Sequence, residues 1–241
     1  MRFSRLTLAI AALLVLGGCV SSSRARKVTP SGFLGDSATL LKKGSKDEAL
    51  LVYKNGKTDW KSYDKIVLDP VTLWGVENSN LAAAELADYQ ELVNSFHATL
   101  KEKLSKDYAI VEEPAPGAMR LQLAIINGKP ATATLKVVKT VAPFAGYADA
   151  LWTFATGKPA FAGEASIEGM VKDSESQELL AAWADRRVGG NQLGEATVSD
   201  WGDVENILTF YSDHIRYLLC VQRKAKDCKK PSSGIVENPV Y

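Results

Sequence analysis

Two stripes of apolar residues at helical spacing constrain the fold most. Leu86, Tyr89, Val93, Phe96, Leu100 and Leu104 recur at steps of three and four. Val204, Ile207, Leu208, Tyr211, Ile215, Leu218 and Leu219 fill one face in the same way. Each stripe predicts a long amphipathic helix, the first ending near Ser105 and capped at its start by Asn78, Ser79 or Asn80. Ser199 or Asp200 is placed to cap the second. Its acids, Asp200, Asp203 and Glu205, lie at the start, and Arg216, Arg223 and Lys224 near the end, as the helix dipole favours. Helices of this kind must bury their apolar faces against another layer.

Strand-like segments supply that layer. Leu50 to Tyr53 runs into an Asn55-Gly56 turn, and Ile66 to Leu68 is short, apolar and β-branched, with Pro70 ending its pairing. Tyr108 to Val111 follows, then Arg120 to Ile126, which alternates through Leu121, Leu123 and Ile125. Asn127-Gly128 signals a hairpin turn, lengthened by Pro130, and Thr132 to Val141 reads as the returning strand. Phe161 to Asp173 and Leu179 to Val188 flank a turn at Ser174 to Gln177. The expected register sets Glu164 opposite Arg187 and Glu168 opposite Trp183. It places Ala165, Ile167, Gly169 and Val171 on one face with Leu180, Ala182 and Ala184, where small side chains let a helix approach closely. Cross-strand ion pairing accounts for the carboxylates more simply than acid–base chemistry. The predicted fold is α+β: a largely antiparallel or mixed sheet with two long amphipathic helices packed on one face, in a single domain over residues 32–228.

The N-terminus is set apart. Arg2 and Arg5 precede a run from Leu6 to Leu16 that is apolar apart from Thr7, followed by Gly17 and Gly18. These are the parts of a secretory signal. The run spans roughly 17 Å as a helix, against about 30 Å for a bilayer core, so it is too short to cross. Leu16-Gly17-Gly18-Cys19 resembles the lipobox of bacterial lipoproteins. The resemblance implies that residues 1–18 are cut away and that the Cys19 thiol carries a diacylglyceryl group. It also implies that the new amine is acylated, which gives the two or three chains that hold stably where one does not. Val20 stands where an aspartate would favour inner-membrane retention, so the implied location is the outer membrane, facing the periplasm. Residues 19–31 read as a flexible tether and residues 229–241 as a loose tail.

Removing the signal leaves 223 of 241 residues and turns a formal net charge of +1 into −1, because Arg2 and Arg5 leave with it. Near neutrality argues against nucleic acid as a partner. Besides Cys19 there are Cys220 and Cys228, which an oxidising compartment favours as a disulfide. Eight residues of straight helix would hold them about 12 Å apart, too far for a bridge. The second helix must therefore end between them, and Lys224 to Asp227 can host that end.

Residues 142–157 hold Phe144, Tyr147, Leu151, Trp152 and Phe154, with Asp149 the only charge. They read either as buried core or as an exposed apolar surface for a partner or ligand. No nucleotide-binding glycine loop, zinc-protease, nucleophile-elbow or Cys-x-x-Cys motif occurs. His97, off the first apolar stripe, reads as a surface histidine, and with His214 far away in sequence a histidine-rich metal site is not expected. The expectation is a non-enzymatic protein without cofactor or metal, anchored to membrane through Cys19. It would bind an unidentified envelope protein as part of an assembly. The alternative is a carrier of a small apolar ligand lined by Phe144 to Phe154. A hydrolase of envelope polymers stands third, requiring a cleft with converging carboxylates.

Several segments together resemble one bacterial lipoprotein family. They are Ser31-Gly32-Phe33-Leu34-Gly35-Asp36-Ser37, Tyr63 to Val71, Arg120 to Ile126, Val171-Lys172-Asp173, Ala182 to Arg187 and Asp200-Trp201-Gly202. The family is known as a domain of unknown function, number 3313. The turn Ser174 to Glu178 and the residue Ser37 depart from its pattern. The resemblance implies one domain on an envelope lipoprotein and transfers no activity or site residue.

Overall fold

The computed structural model describes residues 22–74, 83–129, 164–189 and 201–231. Its centre is a long antiparallel pair, β7 (Ala118–Lys129) and β8 (Glu164–Asp173), in register from Met119 opposite Asp173 to Lys129 opposite Glu164. Every residue of β8 from Glu164 to Val171 is buried, as in a strand covered on both faces. β9 (Leu179–Gly189) pairs with the other edge of β8. Outward from there lie β1 (Ser22–Arg24), β3 (Leu51–Lys54) and β2 (Lys42–Lys43). On the β7 side lie β4 (Lys65–Leu68), β5 (Thr72–Leu73) and β6 (Ala109–Val111). Among the described residues the sheet has nine strands and is mixed: β4 runs parallel to β6 and β7, and β5 parallel to β7. A parallel step needs a crossover, and helix α1 (Ala83–Leu104) provides it between β5 and β6.

Helix α2 (Gly202–Gln222) follows β9 and packs with α1 on one face of the sheet. Both stripes are buried there: Val93, Phe96, Leu100 and Leu104 from α1, and Val204, Ile207, Tyr211 and Leu219 from α2, against Leu121, Leu123, Ile125 and Ile167. A smaller cluster of Leu34, Met170 and Ala182 closes the opposite face beneath the short 3-10 turn at Gly35–Leu40. The expected α+β architecture with two helices on one face is what the chain forms.

Several local expectations are corrected. Asn127-Gly128 makes no turn. β7 continues through both, with a bulge after Ile125 that skips Ile126 and sets Asn127 opposite Ser166, because β8 offers partners on to Lys129. The β8–β9 register is one residue off the expected one: Glu164 faces Val188, Glu168 faces Ala184 and Gly169 faces Trp183. A slip of one flips a strand. Trp183, Asp185 and Arg187 therefore share the helix face with Gly169 and Ile167, and Ala182 and Ala184 take the other. The space above Gly169 is filled by the Trp183 ring and Leu123 rather than by a helix. Trp201 holds the cap position of α2 and makes no side-chain cap bond. His97 is half-buried, and desolvation lowers its pKa. The expected tether loses part of its length, since Ser22–Arg24 is strand β1. Asn78 to Asn80, Thr132 to Val141, Ser199 and Asp200 lie outside the described residues.

A turn after α2 carries left-handed backbone at Lys224 and Asp227 and brings Cys220 and Cys228 into a disulfide with Cα atoms 5.6 Å apart. Lys230 reaches back to Asp47 at 2.7 Å, so the start of the expected loose tail is held against the domain.

Candidate functional site: a cavity beneath the second helix

The flipped register of β9 builds the site. Ala181, Trp183 and Asp185 point toward α2, and β3 adds Val52 and Lys54 from the neighbouring strand. From above, α2 contributes Tyr211, His214, Ile215, Leu218 and Leu219. Between them lies a cavity of about 70 Å³, also bordered by Trp60 and Val171. One water needs about 10–15 Å³ on that measure, so the space admits a group several atoms long. Its walls are mainly aliphatic and aromatic. Glu48, Lys54 and Gln222 stand at its more polar margin, where Lys54 is ion-paired with Glu48. Burial pushes the Glu48 carboxyl up, but bonds from Lys54 and the Ser45 amide outweigh it and bring it down to about 2.

A buried polar cluster closes one end. The Leu50 N–H donates to Asp185 Oδ1 at 2.9 Å. Burial still raises the Asp185 pKa above the usual carboxylate value, against the pull of that bond and of Arg187. Arg187 donates to Ser22 Oγ at 3.0 Å and to the Ser22 carbonyl at 2.8 Å, and its guanidinium lies 3.8 Å from the Phe210 ring centroid. Tyr211 is fully buried beside Asp185. Burial first, and the neighbouring Asp185 carboxyl second, raise its pKa well above 10. His214 stacks on Phe210 with centroids 5.2 Å apart. Desolvation first, and Arg187 second, lower its pKa to about 4, and Nδ1 is buried without a hydrogen-bond partner. At neutral pH the cavity thus meets an uncharged imidazole and an uncharged phenol.

The His214 shift has a pH consequence. Its folded pKa lies below the unfolded value of 6.5, so the unfolded chain binds the extra proton between the two. Stability from this group is present above pH 6.5 and is lost as pH falls toward about 4. Denaturant titrations at pH 7 and pH 4.5 should show the wild type losing about 2 kcal/mol more than His214→Gln. Equal losses would contradict a neutral, buried His214.

Of the carboxylates, Glu48 and Asp185 border the cavity, and Glu164 and Glu168 do not reach it. Glu164 and Glu168 lie on the sheet face away from the helices, Glu164 bonded by Arg186 and Glu168 by the Ser31 amide. Asp185 lies on the helix face. Among the described residues lining the cavity there is no serine, threonine or cysteine, and no group of three or more metal-ligating side chains is assembled. Among the described residues, no helix is long and apolar enough to cross a membrane.

Of the residues singled out in the sequence, Cys19 and the surface candidates Phe144, Tyr147, Leu151, Trp152 and Phe154 lie outside the described residues. Cys220 lies between the cavity residues Leu219 and Gln222 on α2 and is bonded to Cys228; neither cysteine lines the cavity. The sequence reading missed the cavity itself. Its one available signal was the register of β9, which decides whether Trp183 and Asp185 face α2.

Among solved structures, a point-variant PelC dodecamer from Paraburkholderia phytofirmans is similar at 10% identity, with 73% of this chain and 98% of that chain covered and a TM-score of 0.37. A DUF4136 family protein from Bacteroides thetaiotaomicron is similar at 11% identity, covering 71% and 95%, with a TM-score of 0.34. Likenesses this distant carry no argument about what the chain does. No curated protein sequence matches it significantly. The family described as "Protein of unknown function (DUF3313)" matches residues 29–215, and the chain belongs to that family.

Proposed function

We propose that this chain is a lipid-anchored binding module of the bacterial envelope, held at the outer membrane through Cys19 and facing the periplasm, whose cavity beneath α2 takes a slender alkyl chain. It acts by binding as an accessory component of an envelope assembly, not by catalysis. One observation carries the reading: a cavity of about 70 Å³ with apolar walls, Tyr211 and His214 at one end and the Lys54–Glu48 ion pair at its margin. That is the usual make-up of a small-ligand site. An alkyl group fits the walls formed by Val52, Ala181, Ile215 and Leu218, and a hydroxyl or carboxyl end would find Tyr211, His214 or Lys54. A lining whose described residues include no serine, threonine or cysteine favours binding over hydrolysis.

Trp60 and Trp183 border the cavity, so a brominated alkanoic acid entering it quenches their fluorescence. The expected result is saturable quenching that Ala181→Leu abolishes at an unchanged melting temperature. Quenching that is unsaturable, or equal in the variant, removes the reading.

A further inference from the structure

The sheet takes up the chain almost immediately after Cys19. Ser22, Ser23 and Arg24 pair with Gly189, Val188 and Arg187, and the Ala25 N–H donates to the Arg186 carbonyl at 2.9 Å. Arg187 clamps the first of these residues through both the hydroxyl and the carbonyl of Ser22, which is 1% exposed. Three residue steps separate Cys19 from Ser22, a reach of roughly 10 Å even fully extended. A tether running free to Ser31 would reach roughly 40 Å.

We infer that the domain rides flush on the lipid surface, with the sheet end at Ser22 and Gly189 turned toward the bilayer. The inference rests on acylation of Cys19. β9 alone is about 36 Å long, so a leash of roughly 10 Å cannot let the domain roll over. The end it holds down is fixed by topology. β7 finishes and β8 begins there, at Lys129 opposite Glu164. α2 runs antiparallel to β9, with Phe210 over Arg187 and Leu219 near Ala181, so Trp201 lies at the same end. Trp201 meets Tyr89 edge to face at 4.8 Å, and Trp74, 37% exposed, follows β5 alongside the upper part of β7. Tryptophan and tyrosine suit the headgroup region of a bilayer. The cavity margin at Lys54, opposite Ala181, is eight residues back along β9 from Gly189. It is therefore held roughly 26 Å from the lipid, open to the periplasmic side.

Neutron reflectometry of the acylated full-length protein on a supported bilayer of phosphatidylethanolamine and phosphatidylglycerol tests this with two insertions. A twenty-residue glycine–serine segment, about 25 Å root-mean-square, goes either between Ser21 and Ser22 or between Lys27 and Val28. The wild-type protein layer is expected to begin at the headgroups with no hydrated gap. The insertion ahead of β1 should open a gap of about 10–25 Å, and the insertion behind β1 should leave the wild-type profile. Equal gaps from the two insertions, or a gap in the wild type, overturn the short leash while leaving the anchor intact. A protein that washes off the bilayer removes the anchor at Cys19 and the inference with it.

Discussion

Gly169→Ala is expected to destabilise the protein by about 3 kcal/mol and to lower its melting midpoint by roughly 6–12 °C. A methyl group at this position would stand 2.6 Å from Leu123 Cδ2 and closer still to the Trp183 ring. Leu123 has no room to retreat, and Trp183 can yield only on its cavity side. Leu123 is 1% exposed in the centre of β7, and Trp183 is packed against the main core where it borders the cavity. Gly169 itself sits on β8, which is bonded on both edges, so the backbone cannot swing away. Overpacking of this kind costs free energy through displaced rotamers and backbone shifts. Circular dichroism melts measure it, and Trp183→Leu added to Gly169→Ala should recover part of the loss by making room. An alanine tolerated within about 0.5 kcal/mol would mean that Trp183 does not lie over Gly169.

Arg187→Met is expected to cost about 3 kcal/mol and to release β1 from the sheet. Methionine retains the bulk over Phe210 but neither bond to Ser22, and it leaves the buried Asp185 carboxyl without that neighbouring charge. Desolvation lowers the Arg187 pKa, offset only in part by Tyr211 and Asp185, yet its ordinary value is so high that it stays charged. The loss is expected to concentrate on β1, whose three residues have β9 as their ladder partner. Hydrogen exchange at the Ala25 amide should therefore accelerate at least about tenfold in the variant, while core amides of β7 and β8 change only with global stability. Uniform acceleration across the sheet would show that Arg187 supports the whole domain rather than the strand at Ser22.

The two helices were readable because their packing writes itself into the sequence every three or four residues. The same holds for β4 and β7, whose apolar residues had nowhere to go but inward. β1 was not readable. Ser22, Ser23 and Arg24 have the composition of a linker, and they are strand because β9 offers an unpaired edge and Arg187 a buried clamp. Both features lie far away in sequence. The β9 register was unreadable for a related reason. Leu180, Ala182 and Ala184 look like the inward set by hydrophobicity, but a strand covered on both faces loses its alternation signal. Trp183 then decides the register by fitting over Gly169, a steric match that composition does not encode. The cavity follows from that register and from the spacing of β3 and α2, so the chain carries no motif for it.

The most direct test of the binding account is methyl NMR of the soluble domain titrated with decanoic acid. The account predicts saturable shifts confined to Val52, Ile215, Leu218 and Leu219, which surround the cavity, with Leu34 and Ile66 unmoved on the opposite face and in the distant core. Saturable shifts that leave those four methyl-bearing residues in place, or no shifts at all, would contradict it.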